Sequence, residues 1–426
     1  MIQRTLQLLT FFVISTSVVL GQIDCNKAST SDKLVCQFPY TVGAYTNQTA
    51  LGGLGQTGAT SASAVTQAMN LGMATQVSQL PLATASAGNV VVPKGGVFQT
   101  FNNLGPVLTE RAQPIGKGKV FVGFTASQYV FTDIDGLPVA NLPFGFSSTA
   151  SNGSTTYTSM KTRLSFKVNQ VVAVGTVGLT RGVDLSLIVP VEVISVGAAP
   201  TDSKSYIFDA AGTQVGSSSN QWPASTGTAS GIGDINFNLK TVLVRGERTS
   251  VSAGLLTRTP TGDHLNLLGS GAWGLNGYLV YSYIARFSPH AKVAYQWNGS
   301  TELNWRANPT DPTGKTGSNQ NLPGGVQYAM GFDWGALKRL TVAVDLMGNQ
   351  YLDVTRLVQT SKEVTSTLSI PTSVASVGSY TINELSTGFK LRVAGNLVLT
   401  ANVLTQLNND GFRARPTPML GISYKF

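Results

Sequence analysis

From residue 118 to residue 426, apolar and polar side chains alternate with a period of two, and no apolar run there reaches the length of a membrane-spanning helix. Such alternation belongs to strands whose two faces meet different surroundings. In residues 234–245, Ile235, Phe237, Leu239 and Leu243 fall on one face, and Asp234, Asn236, Asn238 and Lys240 on the other. Residues 326–334 set Val326, Tyr328, Met330, Phe332 and Trp334 against Gln327, Ala329, Gly331 and Asp333. Residues 291–297 set Ala291, Val293, Tyr295 and Trp297 against Lys292, Ala294 and Gln296, and residues 163–169 set Leu164, Phe166 and Val168 against Arg163, Ser165, Lys167 and Asn169. One face of each suits lipid and the other water, as in a transmembrane barrel. A soluble sandwich also alternates, so the faces alone do not decide.

The connections separate the two. Strands are predicted at 118–132, 160–179, 183–197, 232–245, 250–260, 271–286, 290–299, 324–335, 339–352, 380–392, 396–407 and 416–426. The links at 180–182, 246–249, 287–289, 336–338 and 393–395 are short, and those at 133–159, 198–231, 261–270, 300–323, 353–379 and 408–415 are longer. Tight turns on one side alternating with long loops on the other are the pattern of outer-membrane barrels. The expected fold is therefore all-β, a transmembrane antiparallel up-and-down barrel of about twelve strands (12–14), preceded by an extension with one short helix. If any part of this chain spans a membrane it must do so as a closed barrel, because only helices and closed barrels pair every backbone group in lipid. The final alternation of Leu420, Ile422, Tyr424 and Phe426 resembles the C-terminal signal by which such barrels engage the outer-membrane assembly machinery. Trp297, Trp334, Tyr281, Tyr283 and Tyr424 fall near predicted strand ends, where aromatic rings favour headgroup depth.

The other end reads as a secretory signal. Arg4 supplies the positive region, residues 8–20 the apolar core and residues 19–21 the cleavage site, which places residues 1–21 in a signal peptide and starts the mature chain near Gln22. Asp24 ahead of Cys25 argues against lipidation. In an oxidising compartment Cys25 and Cys36, the two cysteines of the chain, are expected to form one small disulfide loop. Residues 22–117 form an N-terminal segment, loop-like to about 60. A helix is expected at 62–81, where Val65, Met69, Met73, Val77 and Leu80 recur at helical spacing before Pro81. Three roles are open for this segment: a plug in the lumen (Glu110, Arg111, Met69, Met73), a periplasmic tail, or a small contact domain. Residues 118–426 form the barrel.

Charged residues make up 12% of the chain, about half the soluble norm. The net charge of +9 is spread without a Lys/Arg run, so no nucleic-acid partner is expected. Two histidines and two cysteines, widely separated, argue against a zinc site, and no cofactor is implied. Catalysis is not expected either. His264 follows a Pro260–Asp263 stretch that reads as a turn, His290 falls at a predicted short turn, and no serine lies in a nucleophile elbow.

Several stretches carry a family resemblance. They are Gly231-Ile232-Gly233-Asp234-Ile235, Leu255-Leu256 through Pro260-Thr261-Gly262-Asp263, Leu268-Gly269-Ser270-Gly271, Gly277-Tyr278, and Tyr295-Gln296-Trp297-Asn298-Gly299. With the run 105–112 leading to Gly116-Lys117-Gly118, they resemble bacterial outer-membrane transporters related to the FadL-type hydrocarbon and fatty-acid channels, over residues 105–426. The resemblance implies a barrel of usually fourteen strands with an N-terminal hatch, and passive uptake of small hydrophobic molecules. The pleat assigns Arg163, Lys167, Asp234, Lys240, Asp333, Asp345, Glu384, Lys390 and Arg392 to the lumen, where charge tunes selectivity. Expected partners are the bilayer, lipopolysaccharide, the assembly machinery through Phe426, and a small-molecule substrate; the expected location is the outer membrane with both termini periplasmic. The alternative function is a structural or adhesive surface barrel that works through loops 198–231 and 353–379.

Overall fold

In the computed structural model, residues 33–42, 56–82, 90–94, 97–101, 103–219, 224–301, 307–308, 311–315 and 320–426 are described. The proposed signal segment and Cys25 lie outside the described residues. Cys36 is buried and is not a free thiol.

Twelve long strands make one closed antiparallel ring: β1 (Val120–Ile134), β2 (Thr155–Gly178), β3 (Val183–Phe208), β4 (Asn236–Arg245), β5 (Thr249–Arg258), β6 (Gly274–Tyr283), β7 (Phe287–Asn298), β8 (Gly325–Leu337), β9 (Leu340–Glu363), β10 (Ser369–Ala394), β11 (Leu397–Gln406) and β12 (Thr417–Lys425). Each pairs with its sequence neighbours, and β12 closes on β1 from Met419↔Ser127 to Lys425↔Phe121. The period of two, with a short turn or long link after each run, suits this meander. The resemblance implied fourteen strands; the ring has twelve.

Four strands run far beyond their expected limits. β2, β3, β9 and β10 have 24, 26, 24 and 26 residues, against the ~9–11 that cross a bilayer. The expected loop 353–379 is largely a hairpin, paired from Val354↔Gly378 to Glu363↔Ser369. The expected loop 198–231 includes the end of β3 and the strands Gln214–Ser219 and Ser225–Ile232, both paired to β3. These stretches are rich in Ser, Thr and Val, with high strand propensity but no apolar–polar contrast, so alternation could not reveal them.

Burial shows what the ring faces. On β3, Leu185, Leu187, Val191 and Val193 are exposed, while Asp184, Ser186 and Glu192 point inward and are buried. Past Val193 the pattern inverts. Ile194, Val196 and Ala198 point inward and are buried, and Ser195 points out. On β2 the same switch falls between Asn169 and Val168, and on β1 between Gln128 and Tyr129. The register joins Tyr129↔Val168↔Ile194 in one row, so three strands change polarity at one height. Below that row the outside is apolar and the inside mixed, with Asp184, Ser186, Gln170 and Glu192 beside an apolar patch of Phe121, Val172, Val174 and Ile188; above it these strands have the polarity of a soluble protein. Arg163 and Lys167 lie above it and point outward. Their expected lumenal position is therefore corrected: the Leu164–Phe166–Val168 face that suited lipid instead packs inward. The outward apolar stretch 171–179 on β2, at ~3.3 Å per residue and a tilt of ~40°, spans roughly 23 Å, close to the ~25 Å apolar band of outer-membrane barrels.

The projecting half has a packed core. Helix α2 (Gln56–Ser78), earlier at both ends than the expected 62–81, lies inside the ring. Its Val65, Met69, Met73 and Val77 pack on Tyr129, Phe131, Phe144, Phe166 and Phe412 from the wall. At Gly72 a Cβ would come within 3.0 Å of the Phe412 ring, so glycine sets that closeness. A second short helix, α1 (Gln37–Val42), was not foreseen. Its Phe38 packs edge-on against Phe144, and Thr41 Oγ1 donates to the Ala198 carbonyl. Lys33 lies 2.9 Å from Asp263 in the β5–β6 link. Partial burial raises the Asp263 pKa, but the Lys33 hydrogen bond and charge, with Asn266 and the Leu265 amide, outweigh it and hold the carboxyl below the usual carboxylate range.

The lower half is pinned by aromatic rings laid over glycines. Inside, Tyr278 lies across Gly254 and donates to Asn238 Oδ1 at 2.8 Å. On the outer face, Tyr328 lies across Gly348 and donates to Asn383 Oδ1 at 2.6 Å. A Cβ on Gly254 would sit 2.2 Å from the Tyr278 ring. Gly254→Val is therefore expected to reduce sharply the folded fraction that migrates as a compact species on unheated gels. Gly277→Val, where a Cβ meets nothing within 4 Å, is expected to leave that fraction unchanged; equal yields for the two variants would contradict this packing.

Candidate functional site

The stretch 103–115 crosses the lumen at the short-turn end without helix or strand. Pro106 and Pro114 and the positive φ of Gly105 (86°) suit an extended, turning path. A buried irregular backbone must find its hydrogen bonds elsewhere, and here inward side chains of the wall supply many of them. Thr341 Oγ1 accepts from the Leu104 amide, Ser282 Oγ from the Ala112 amide and Asp184 Oδ2 from the Ile115 amide. In return, Lys390 Nζ donates to the Pro106 carbonyl, Lys240 Nζ to the Arg111 carbonyl and Ser252 Oγ to the Ala112 carbonyl. The result is a plate fastened to strands β3, β4, β5, β6, β9 and β10.

Two charged side chains lock it further. Arg111 lies 2.9 Å from Asp333 Oδ2 and also donates to Asn103 Oδ1 at 2.9 Å. Asn103 in turn donates to Ser288 Oγ and to the Asp333 carbonyl. His290 stands between two carboxylates, with Nδ1 3.2 Å from Asp333 Oδ1 and Nε2 2.6 Å from Asp345 Oδ1, and Thr109 Oγ1 is 2.8 Å from the same Nε2. Glu110 lies 3.4 Å from Lys240 and accepts from Asn238 Nδ2 at 3.2 Å. Burial weakens solvent screening of such pairs, and removing one member strands the other in a dry setting.

The structure thus brings Glu110, Arg111, Lys240, Asp333, Asp345 and Lys390 together, with His290 as an addition that the sequence reading missed. His290 is not in a short turn but on β7, facing in. Its position one strand from Asp333 (His290↔Gly331, Gly331↔Asp345) is visible only once register is known. Met69 and Met73 are fully buried, higher up in the α2 core. Asp234 holds a separate knot at the long-loop end. It accepts from the amides of Gly262 and Ser270 and from Ser270 Oγ, and Arg258 lies 3.6 Å away. Arg258 also donates to Asn298 Oδ1 at 2.8 Å. Four of the stretches that carried the family resemblance meet there, so those motifs fasten strands β4–β7 rather than do chemistry. Arg392 is half-buried near the short-turn rim, where its amide donates to the Arg339 carbonyl.

Between the plate and the end of α2 lies a cavity of about 180 Å³. Its walls are mixed. Leu80, Leu82, Leu108, Val174, Ile188, Leu256 and Met347 give apolar surface; Asn236, Asn238, Asn276, Gln296 and Gln327 give amides; Glu110, Arg258, Lys292 and Glu384 give charge. Among the described residues no cluster of metal-ligand type is present.

No protein-family model matches the chain, and no curated protein does. Several solved structures are similar to it. An outer membrane channel from Pseudomonas putida F1 shares 12% identity at a TM-score of 0.44, covering 75% of this chain and 99% of that one. The NanC porin shares 8% at 0.35, covering 72% and 100%, and a FadL homologue from Pseudomonas aeruginosa 10% at 0.29, covering 72% and 89%.

Asp333→Asn is expected to weaken the hold on Arg111 and His290 by about 3–5 kcal/mol, the usual cost of breaking a buried ion pair. Hydrogen exchange of amides 103–115 should rise by orders of magnitude while β2–β5 stay protected. Unchanged exchange at 103–115 would remove Arg111–Asp333 from the fastening.

Proposed function

We propose that this chain is an outer-membrane channel for passive passage of small molecules, held shut in the described state by its own N-terminal segment acting as a plug. The observation that carries the reading is the two-sided lower ring: an apolar belt about one bilayer tall outside, and inside a lumen of mixed polar and apolar lining that is blocked yet not filled. Exposed Trp273, Tyr295 and Trp297 lie toward the long-loop end of the belt, and Tyr281, Phe287, Trp334 and Tyr424 toward the short-turn end, as interfacial girdles do. By the same logic the short turns and the end of β12 face the periplasm, while the first described residue, Lys33, sits at the long-loop end beside Asp263. A closed barrel with an apolar belt fits an outer-membrane protein, and the bilayer and lipopolysaccharide would be its surroundings.

The mixed cavity favours an amphipathic solute over a bare hydrocarbon, which narrows the hydrophobic substrate class that the family resemblance implies. Passage requires no cofactor or catalytic group. The tall β9–β10 hairpin, paired to Glu363↔Ser369, supports a second reading, a surface barrel that acts through its projecting hairpins.

Planar-bilayer conductance separates the two. The intact mature chain should be closed or nearly so, and a chain lacking residues 22–115 should conduct steadily. If the truncated barrel folds but passes neither ions nor small sugars, the channel reading fails and the surface reading replaces it.

A further inference from the structure

The cavity carries two charged side chains, Glu384 and Lys292, that make no hydrogen bond or ion pair among the described residues. The Lys292 ammonium rests 4.4 Å from the centroid of the Tyr278 ring. The other two charged groups of the lining are engaged: Glu110 by Lys240 and Asn238, and Arg258 by the Ser78 carbonyl, Asn298 and Asp234.

The register sets Glu384 and Lys292 in one row. Lys292 pairs with Ala329, Ala329 with Met347 and Met347 with Glu384, and all four face the cavity. Three strand spacings put the two backbones roughly 14 Å apart, with the short Ala329 and the apolar Met347 between the charged ends. Leu82 and Leu108 line the same cavity from the N-terminal segment. Next to the row, Asn276 donates to Gln296 and Gln327 at 3.1 and 2.8 Å, which leaves its own carbonyl oxygen buried and without a partner.

We propose that this cavity binds a small zwitterion, with its carboxylate at Lys292, its ammonium at Glu384 and its aliphatic chain across Ala329 and Met347. An unpaired charge held away from bulk water is costly. An anion would answer only Lys292, a cation only Glu384, and a hydrocarbon neither; a zwitterion answers both at once. The proposal deepens the channel reading and rests on it only for the route by which the ligand arrives.

The test is titration calorimetry on the full mature chain in detergent with three probes of similar length: 6-aminohexanoate, hexanoate and hexylamine. The zwitterion should bind about tenfold or more tightly than either comparator. Glu384→Gln should bring it down to the level of hexanoate, and Lys292→Gln to that of hexylamine. Variants are compared only if they migrate as folded on unheated gels; if they do not, the wild-type ranking alone decides. Equal binding of the three probes, or tighter binding of hexanoate or hexylamine, overturns the proposal. Arabinose uptake by liposomes holding the truncated barrel, once it migrates as folded on unheated gels, tests the channel itself. Uptake without a zwitterion preference discards this site and keeps the channel, whereas absent uptake discards the channel.

Discussion

Everything here depends on the closure of β12 onto β1. In hydrocarbon no water is at hand to satisfy an amide or a carbonyl, so a sheet with a bare edge has no stable place there. The seam Met419↔Ser127 to Lys425↔Phe121 removes that edge. Once the ring is shut, every strand has a fixed inside and outside, and the period-two alternation becomes a sorting of side chains between two solvents. Ring closure also creates the lumen, and a lumen of twelve strands is wide enough that something must occupy it or water will.

What occupies it differs with height. Above the Tyr129–Val168–Ile194 row the inner wall is apolar and takes up α2 as an ordinary core would. Below that row the inner wall is mixed, and the chain 103–115 is held there mainly by hydrogen bonds and ion pairs, with Leu104 and Ile115 in a small apolar cluster. These two kinds of attachment differ in how they can be undone. Apolar packing is lost gradually with exposed area, whereas a buried pair such as Arg111–Asp333 is held or broken. A segment fastened below by discrete polar contacts and above by packing is suited to release from the lower end.

The ring was legible in the sequence because strand count and turn placement depend only on local alternation and on breakers such as Gly395-Asn396. The inward faces of β4 and β8 were legible for the same reason. Arg163 and Lys167 were misplaced because alternation reports two unlike faces without saying which is inside, and the answer reverses partway along β2. The projecting hairpins escaped because strands with two polar faces have no alternation to see. His290 escaped because its partners, Asp333 and Asp345, come from 43 and 55 residues away and meet it only through register.

The polarity switch on β1, β2 and β3 acts like a painted waterline on a hull. Slide the barrel toward its long-loop end by one pair of residues and apolar Val191 and Val193 leave the oil; slide it the other way and Gln128 and Asn169 enter it. Either displacement is opposed, so the molecule carries its own depth gauge, and bilayers thinner or thicker than the belt must deform to meet it. One substitution then has opposite consequences a few ångströms apart: an added outward charge at Asn169 joins the water, and the same charge at Val171 has to be dragged into the lipid.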